Sequence, residues 1–111
     1  MKWHISYSYQ AYADLRGIRA YIAHALQEPN IARNVYERIK AEIRSLAEFP
    51  RRNALYEGEL WNSRELRTTN AGNYLILYTI TEATRTVTVL RIAYGGRDTH
   101  SLLEETPPPA D

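Results

Sequence analysis

The chain contains no cysteine among its 111 residues. That excludes disulfide frameworks, thiolate nucleophiles, zinc-finger spacings and iron–sulfur ligation, and leans the expected compartment toward the cytoplasm. Long apolar runs are missing too: none approaches the roughly 20 residues that a membrane-spanning helix requires. The stretch Met1 to Tyr9 mixes Lys2, His4, Ser6 and Ser8 with aromatics, without the apolar segment of a signal peptide. Neither export nor membrane insertion is expected. Net charge is scarce, formally +1, and so small a sum is poor ground for expecting a nucleic-acid binder. No internal repeat, Walker loop, dinucleotide fingerprint, nucleophile elbow or helical HExxH occurs. His4 and His24 lack companions at metal-ligand spacing, so no metal and no cofactor is expected.

What is present reads as a folded domain. Hydrophobic residues make up 44% and charged residues 24%, an ordinary globular balance. Residues 1–105 are expected to form one domain with a single modest core, and residues 106–111, Thr-Pro-Pro-Pro-Ala-Asp, an extended proline-rich tail outside it. From Lys2 to Tyr9, Trp3, Ile5, Tyr7 and Tyr9 alternate with polar residues, the period of a half-buried strand. Gln10 to Leu26 carries Ala11, Leu15, Ile18 and Ile22 at helical spacing, with Asp14 near the positive end of the helix dipole. Pro29 opens a second helix whose face is Ala32, Val35, Tyr36, Ile39, Ile43 and Leu46, stopped by Pro50. The short link between them predicts an antiparallel helical hairpin.

The aperiodic stretch Arg51 to Ser63 reads as a long connection anchored by Leu55, Tyr56, Leu60 and Trp61. Strands are predicted over Arg64–Thr69, Tyr74–Thr81 and Thr86–Tyr94, with turns at 70–73 and 82–85 and a short helix from Asp98 to Glu105. The order β-α-α-β-β-β-(α) specifies an α+β domain, a helical hairpin packed on a small, mainly antiparallel sheet. The middle meander strand is apolar on both sides: Tyr74, Ile76, Tyr78 and Ile80 face one way, Leu75 and Leu77 the other. One side packs on the helices. The other is either an interaction surface or is covered by the long connection and the terminal helix.

Positive charge changes character along the chain. After Lys40 there are only arginines, Arg44, Arg51, Arg52, Arg64, Arg67, Arg85, Arg91 and Arg97, apart from His100. The planar guanidinium suits phosphate and carboxylate recognition, although most of the eight are expected to be solvated surface charges. Arg97 is the best placed, since Gly95-Gly96 before it let the backbone approach a ligand closely; a local ion pair with Asp98 or Glu104 is the competing reading. Arg85 lies in a turn and is expected to be inert.

Four stretches taken together resemble toxins of the RelE/ParE superfamily: Ala13-Asp14-Leu15-Arg16-Gly17-Ile18, Leu66-Arg67, Gly72 to Tyr78 (GNYLILY) and Val89 to Asp98 (VLRIAYGGRD). The resemblance spans Lys2 to about Leu103 and implies a microbial-RNase-like fold. It also implies a cognate antitoxin, usually encoded alongside, that wraps the toxin, with any operator DNA contacted only through the antitoxin. RelE-like members are ribosome-dependent mRNA endonucleases; ParE-like members are non-enzymatic poisons of DNA gyrase. Many of the nucleases carry an arginine where this chain has Leu75, and a tyrosine or histidine a few residues beyond the arginine matching Arg97, where only His100 is available. Both departures favour the gyrase-directed binding module. Metal-free RNA cleavage needs a base, an acid and cations; Arg97, Arg67 and His100 are the candidates for it, so the ribosome-dependent nuclease stays open, as does an inactive toxin fold kept as a binding partner. Arg97, Arg91 and Arg67 are the candidate target-binding residues, and Trp61, Leu75 and Leu77 the candidate antitoxin-binding ones.

Overall fold

Ser8 decides where the first strand stops. Its hydroxyl accepts the Ala11 amide at 3.0 Å and donates to the Leu90 carbonyl at 2.8 Å, which caps a helix where the alternating pattern would continue a strand. Strand β1 is therefore His4–Tyr7 and helix α1 is Tyr9–Ala20. Tyr9, expected on the strand, is an exposed first helical residue. The helical backbone runs on through a π-wound turn, Tyr21–Ala25, so the predicted helix is present with a loosened last turn. Helix α2, Pro29–Ser45, begins on its proline and buries Ala32, Ile39 and Ile43, with Leu46 closing the same face. The structure, a computed structural model, describes residues 2–56, 61, 64–95 and 98–106.

Strands β2 (Arg67–Ala71), β3 (Tyr74–Thr81) and β4 (Thr86–Tyr94) form an antiparallel meander. β1 joins its far edge in parallel to β4, giving the order β1-β4-β3-β2. β2 starts later than the sequence suggests because Glu65 sits at φ 53°, outside the extended region. It also runs later, through Asn70 and Ala71, since the turn needs only Gly72 and Asn73. Gly72 takes φ 59°, a positive value that the first position of a two-residue hairpin turn needs and that glycine adopts without strain. Helix α3, Thr99–Glu104, is capped by Asp98, whose carboxylate accepts the His100 amide.

The helices cover one sheet face. Ala11 and Leu15 of α1 and Ile39 and Ile43 of α2 pack on Ile76, Val89 and Ile92; below them Trp3, Leu46, Tyr78, Ile80 and Val87 form a continuation. On the other face Leu66, Leu77, Leu90 and Ala93 lie with Trp61 under Leu102 and Leu103 of α3. Burying each such leucine contributes about 1.5–3 kcal/mol. A bulge makes this second core possible: Leu77 pairs with Arg91 and Tyr78 with Val89, leaving Leu90 as the extra residue that joins the α3 side. Among the described residues no helix is long and apolar enough to cross a membrane.

Candidate functional site

β1 pairs with β4 only as far as Val89, so the rest of that β4 edge needs other partners. Helix α1 supplies them. The Ile92 amide donates to Asp14 Oδ2 at 2.9 Å. The same carboxylate takes a two-pronged contact from Arg91, Nε to Oδ2 at 2.7 Å and Nη2 to Oδ1 at 3.0 Å. The remaining Arg91 prong, Nη1, donates to Thr106 Oγ1 at 3.2 Å, and that hydroxyl donates to the Leu102 carbonyl at 2.8 Å. Arg91 thus joins α1, β4 and the end of α3. Its hydrogen bond to Asp14 holds the guanidinium above its ordinary pKa against the opposing effect of burial.

Arg67 is occupied in the same way, on the other side of the sheet. Its pairing with Tyr78 places it on the helix-facing side, whereas Arg91 lies opposite Leu77 on the α3 side. Arg67 Nη1 donates to the carbonyls of Arg51, at 3.3 Å, and Asn53, and Nε lies 3.5 Å from Glu65 Oε2. The Tyr78 hydroxyl donates to the Pro50 carbonyl at 2.6 Å and accepts from Asn53 Nδ2 at 3.0 Å; burial pushes this phenol above its ordinary pKa. Together these bonds fasten the segment after α2 to the sheet. The two predicted target-binding arginines that the structure describes therefore hold backbone and helix in place, and the sheet keeps them apart.

His100 is exposed on α3, its Nε2 3.3 Å from Glu104 Oε1. Asp98 accepts from the His100 amide and from Ser101 Oγ at 3.0 Å; the Ser101 hydroxyl first, then that amide, holds its carboxyl below the usual range. Arg97 and Gly96 lie outside the described residues, as do Leu60 and residues 107–111 of the expected tail. Thr106, also expected in that extended tail, is instead buried, because its hydroxyl is bonded between Arg91 and the Leu102 carbonyl. Trp61 and Leu77 are buried in the α3-side core, and Leu75 packs partly buried against it. Of the two arrangements the sequence allowed for this face, the covered one is observed.

Among the described residues no group of three or more His, Asp or Glu side chains could hold a metal ion, and Arg67, Arg91 and His100 do not converge on one point. Sequence reasoning missed what Asp14 does: it was legible only as an acid near a helix start, because its partners lie 77 and 78 residues away. It also missed Arg85. That turn arginine lies with its guanidinium carbon 4.4 Å from the Trp3 ring centroid, a stacked contact that no local pattern announces.

The family described as ParE toxin of type II toxin-antitoxin system, parDE, matches this chain over residues 5–99. No curated protein sequence matches it. Among solved structures, the chromosomal ParDE toxin–antitoxin system of P. aeruginosa is similar at 18% identity and TM-score 0.68, over 84% of this chain and 96% of that one. The RelBE2 toxin–antitoxin complex of Mycobacterium tuberculosis is similar at 21% identity and TM-score 0.60, over 85% and 99%. The archaeal RelE–RelB complex of Pyrococcus horikoshii is similar at 16% identity and TM-score 0.61, over 88% and 100%. At these identities the structural likeness shows the fold.

Proposed function

The chain belongs to the ParE toxin family of type II toxin–antitoxin systems, and from that membership we propose that it arrests growth by binding DNA gyrase and is held inactive by a cognate antitoxin. The observation that carries the choice of a binding module over a nuclease is the state of Arg67 and Arg91. A phosphoryl-transfer site needs cations free to meet developing charge, and these two are already matched to backbone carbonyls, Glu65 and Asp14. Leu75 adds to this, offering no charge where many RelE-like nucleases carry arginine. Arg97 follows two glycines at the end of β4 and is retained from the sequence as the target-facing cation.

The antitoxin is proposed to reach Trp61, Leu75 and Leu77, and the packing sets a condition. Leu102 and Leu103 lie over these residues, so an antitoxin segment contacts Trp61 and Leu77 only if α3 moves aside. Expression alone should stop growth and co-expression of the adjacent small gene should restore it. The purified protein should inhibit gyrase supercoiling and leave mRNA on programmed ribosomes intact. Codon-positioned cleavage that requires the ribosome would establish the nuclease reading instead.

A further inference from the structure

Phe49 is the only phenylalanine in the chain. It stands between the end of α2 and Pro50 with φ 57° and ψ 55°, a left-handed backbone that favours glycine or asparagine. Phe49 is 81% exposed and belongs to none of the three core clusters of described residues. Both the backbone and the solvent disfavour phenylalanine at this position, so the stability of the fold does not account for it.

Two adjoining clefts of about 570 and 500 Å³ share Phe49, Lys2 and Glu48 on their walls. Trp3, Pro50, Arg51 and Arg85 complete the first; Arg44 and Arg52 lie on the second. The lining thus carries five cations to one carboxylate. Much of it is prearranged: Arg51 and Arg85 stack on the Trp3 ring at 5.2 and 4.4 Å, and Glu82 ties the two together at 3.1 and 3.7 Å. Arg52 is held by the Ser45 and Glu48 carbonyls, both at 3.0 Å. Lys2 and Arg44 have no ion-pair partner among the described residues.

We propose that Phe49 and the two clefts beside it form a docking surface for an acidic segment of a partner protein, one whose carboxylates flank a single apolar side chain. The apolar anchor packs on Phe49, Pro50 and the Trp3 stack, while carboxylates meet Lys2 and Arg44. A nucleic-acid strand fits less well. Its evenly spaced phosphates need an uninterrupted cationic track, and here Glu48 stands between the clefts while Glu42, Glu65 and Glu82 already neutralise Arg52, Arg51 and Arg85. A peptide can place its charges individually and leave these pairs intact. The inference goes beyond the toxin reading and does not rest on it.

The test uses the purified full chain with 4-fluorophenylalanine, which gives one fluorine signal because the chain has one phenylalanine. The probes are synthetic 14-residue glutamate-rich peptides with one central Leu, Phe or Trp, lysine-rich counterparts, and an oligothymidylate of equal length. At least one acidic peptide should shift the Phe49 signal saturably, and the lysine peptides should not. In Phe49→Gly, followed by a fluorescently tagged peptide, affinity should fall at least tenfold while the urea midpoint stays at or above that of the wild type, because glycine suits the left-handed backbone. Lys2→Glu combined with Arg44→Glu should reverse the preference toward the lysine peptides. The proposal is overturned by an unshifted signal with every acidic peptide, by unchanged affinity in Phe49→Gly, or by tighter binding of the oligothymidylate. All readouts are made on purified protein, so they are independent of whether expression arrests growth.

Discussion

Removing the Asp14 carboxylate should cost far more than its place on a surface helix suggests. In Asp14→Ala the Arg91 guanidinium loses both prongs of its contact and the Ile92 amide loses its acceptor. The side chains of Arg91 and Asp14 are only 11% and 16% exposed. Breaking a fully buried pair costs about 3–5 kcal/mol; some water reaches this one, so about 2–3 kcal/mol is the proportionate figure. The orphaned amide adds about 1 kcal/mol. The expected loss is therefore about 3–4 kcal/mol, which at about 1.5 kcal/mol per molar urea moves the midpoint down by roughly 2 M. Asp14→Asn keeps an oxygen for the amide and should fall in between. The double variant Asp14→Leu with Arg91→Leu removes both charges and should recover about 2 kcal/mol relative to Asp14→Ala. A loss below about 1 kcal/mol in Asp14→Ala, or a double variant no better than the single one, would refute this account of the pair.

Three further outcomes follow from the same geometry. Tyr78→Phe strands the Pro50 carbonyl and the Asn53 amide and should cost about 1–2 kcal/mol in urea unfolding, with amide exchange rising around Pro50 to Asn53. Gly95→Ala places a Cβ 2.8 Å from the Asn73 carbonyl oxygen, against which the Gly95 amide already donates at 2.6 Å; a loss of about 1–3 kcal/mol is expected, and unchanged exchange protection at residue 95 would contradict it. Asp98 has its carboxyl held below the usual range in the folded chain, so its capping contribution is complete above about pH 4 and is lost as pH falls through the lowered value. Amide shifts across Thr99–Glu104 should report that loss only in strongly acidic solution; fraying already complete near pH 5 would show that another group controls the helix end.

The fold was legible because its signals are local. Alternation in Trp3, Ile5 and Tyr7, helical spacing in Ile39 and Ile43, and the glycine turn at Gly72 each follow from a few neighbouring residues. The misplacements have local causes as well: Ser8 competes for a strand residue by capping a helix, and Glu65 leaves the extended region just before β2. The candidate site was less legible. Arg67 and Arg91 read as free cations because the atoms that occupy them, the Asn53 carbonyl and the Asp14 carboxylate, are 14 and 77 residues distant. Leu90 breaks the two-residue period through a bulge that arises only when β3 and β4 pair. Nothing in the local pattern singles out Phe49; its left-handed backbone and its exposure emerge only in the structure.

The parallel pairing of β1 with β4 has a consequence for how the protein is made. β1 leaves the ribosome first and is needed last: Ser8 waits for Leu90, 82 residues downstream. At about 5–20 residues per second, that interval lasts roughly 4–16 s. The α1–α2 hairpin can coil during this time, but the strand that β1, β3 and α1 all lean on does not yet exist. A product that terminates before Thr86 lacks β4 altogether and with it the sheet's central seam. The stack of Arg85 on Trp3 joins distant segments in the same way, so that surface cannot form in any product that stops short of Arg85.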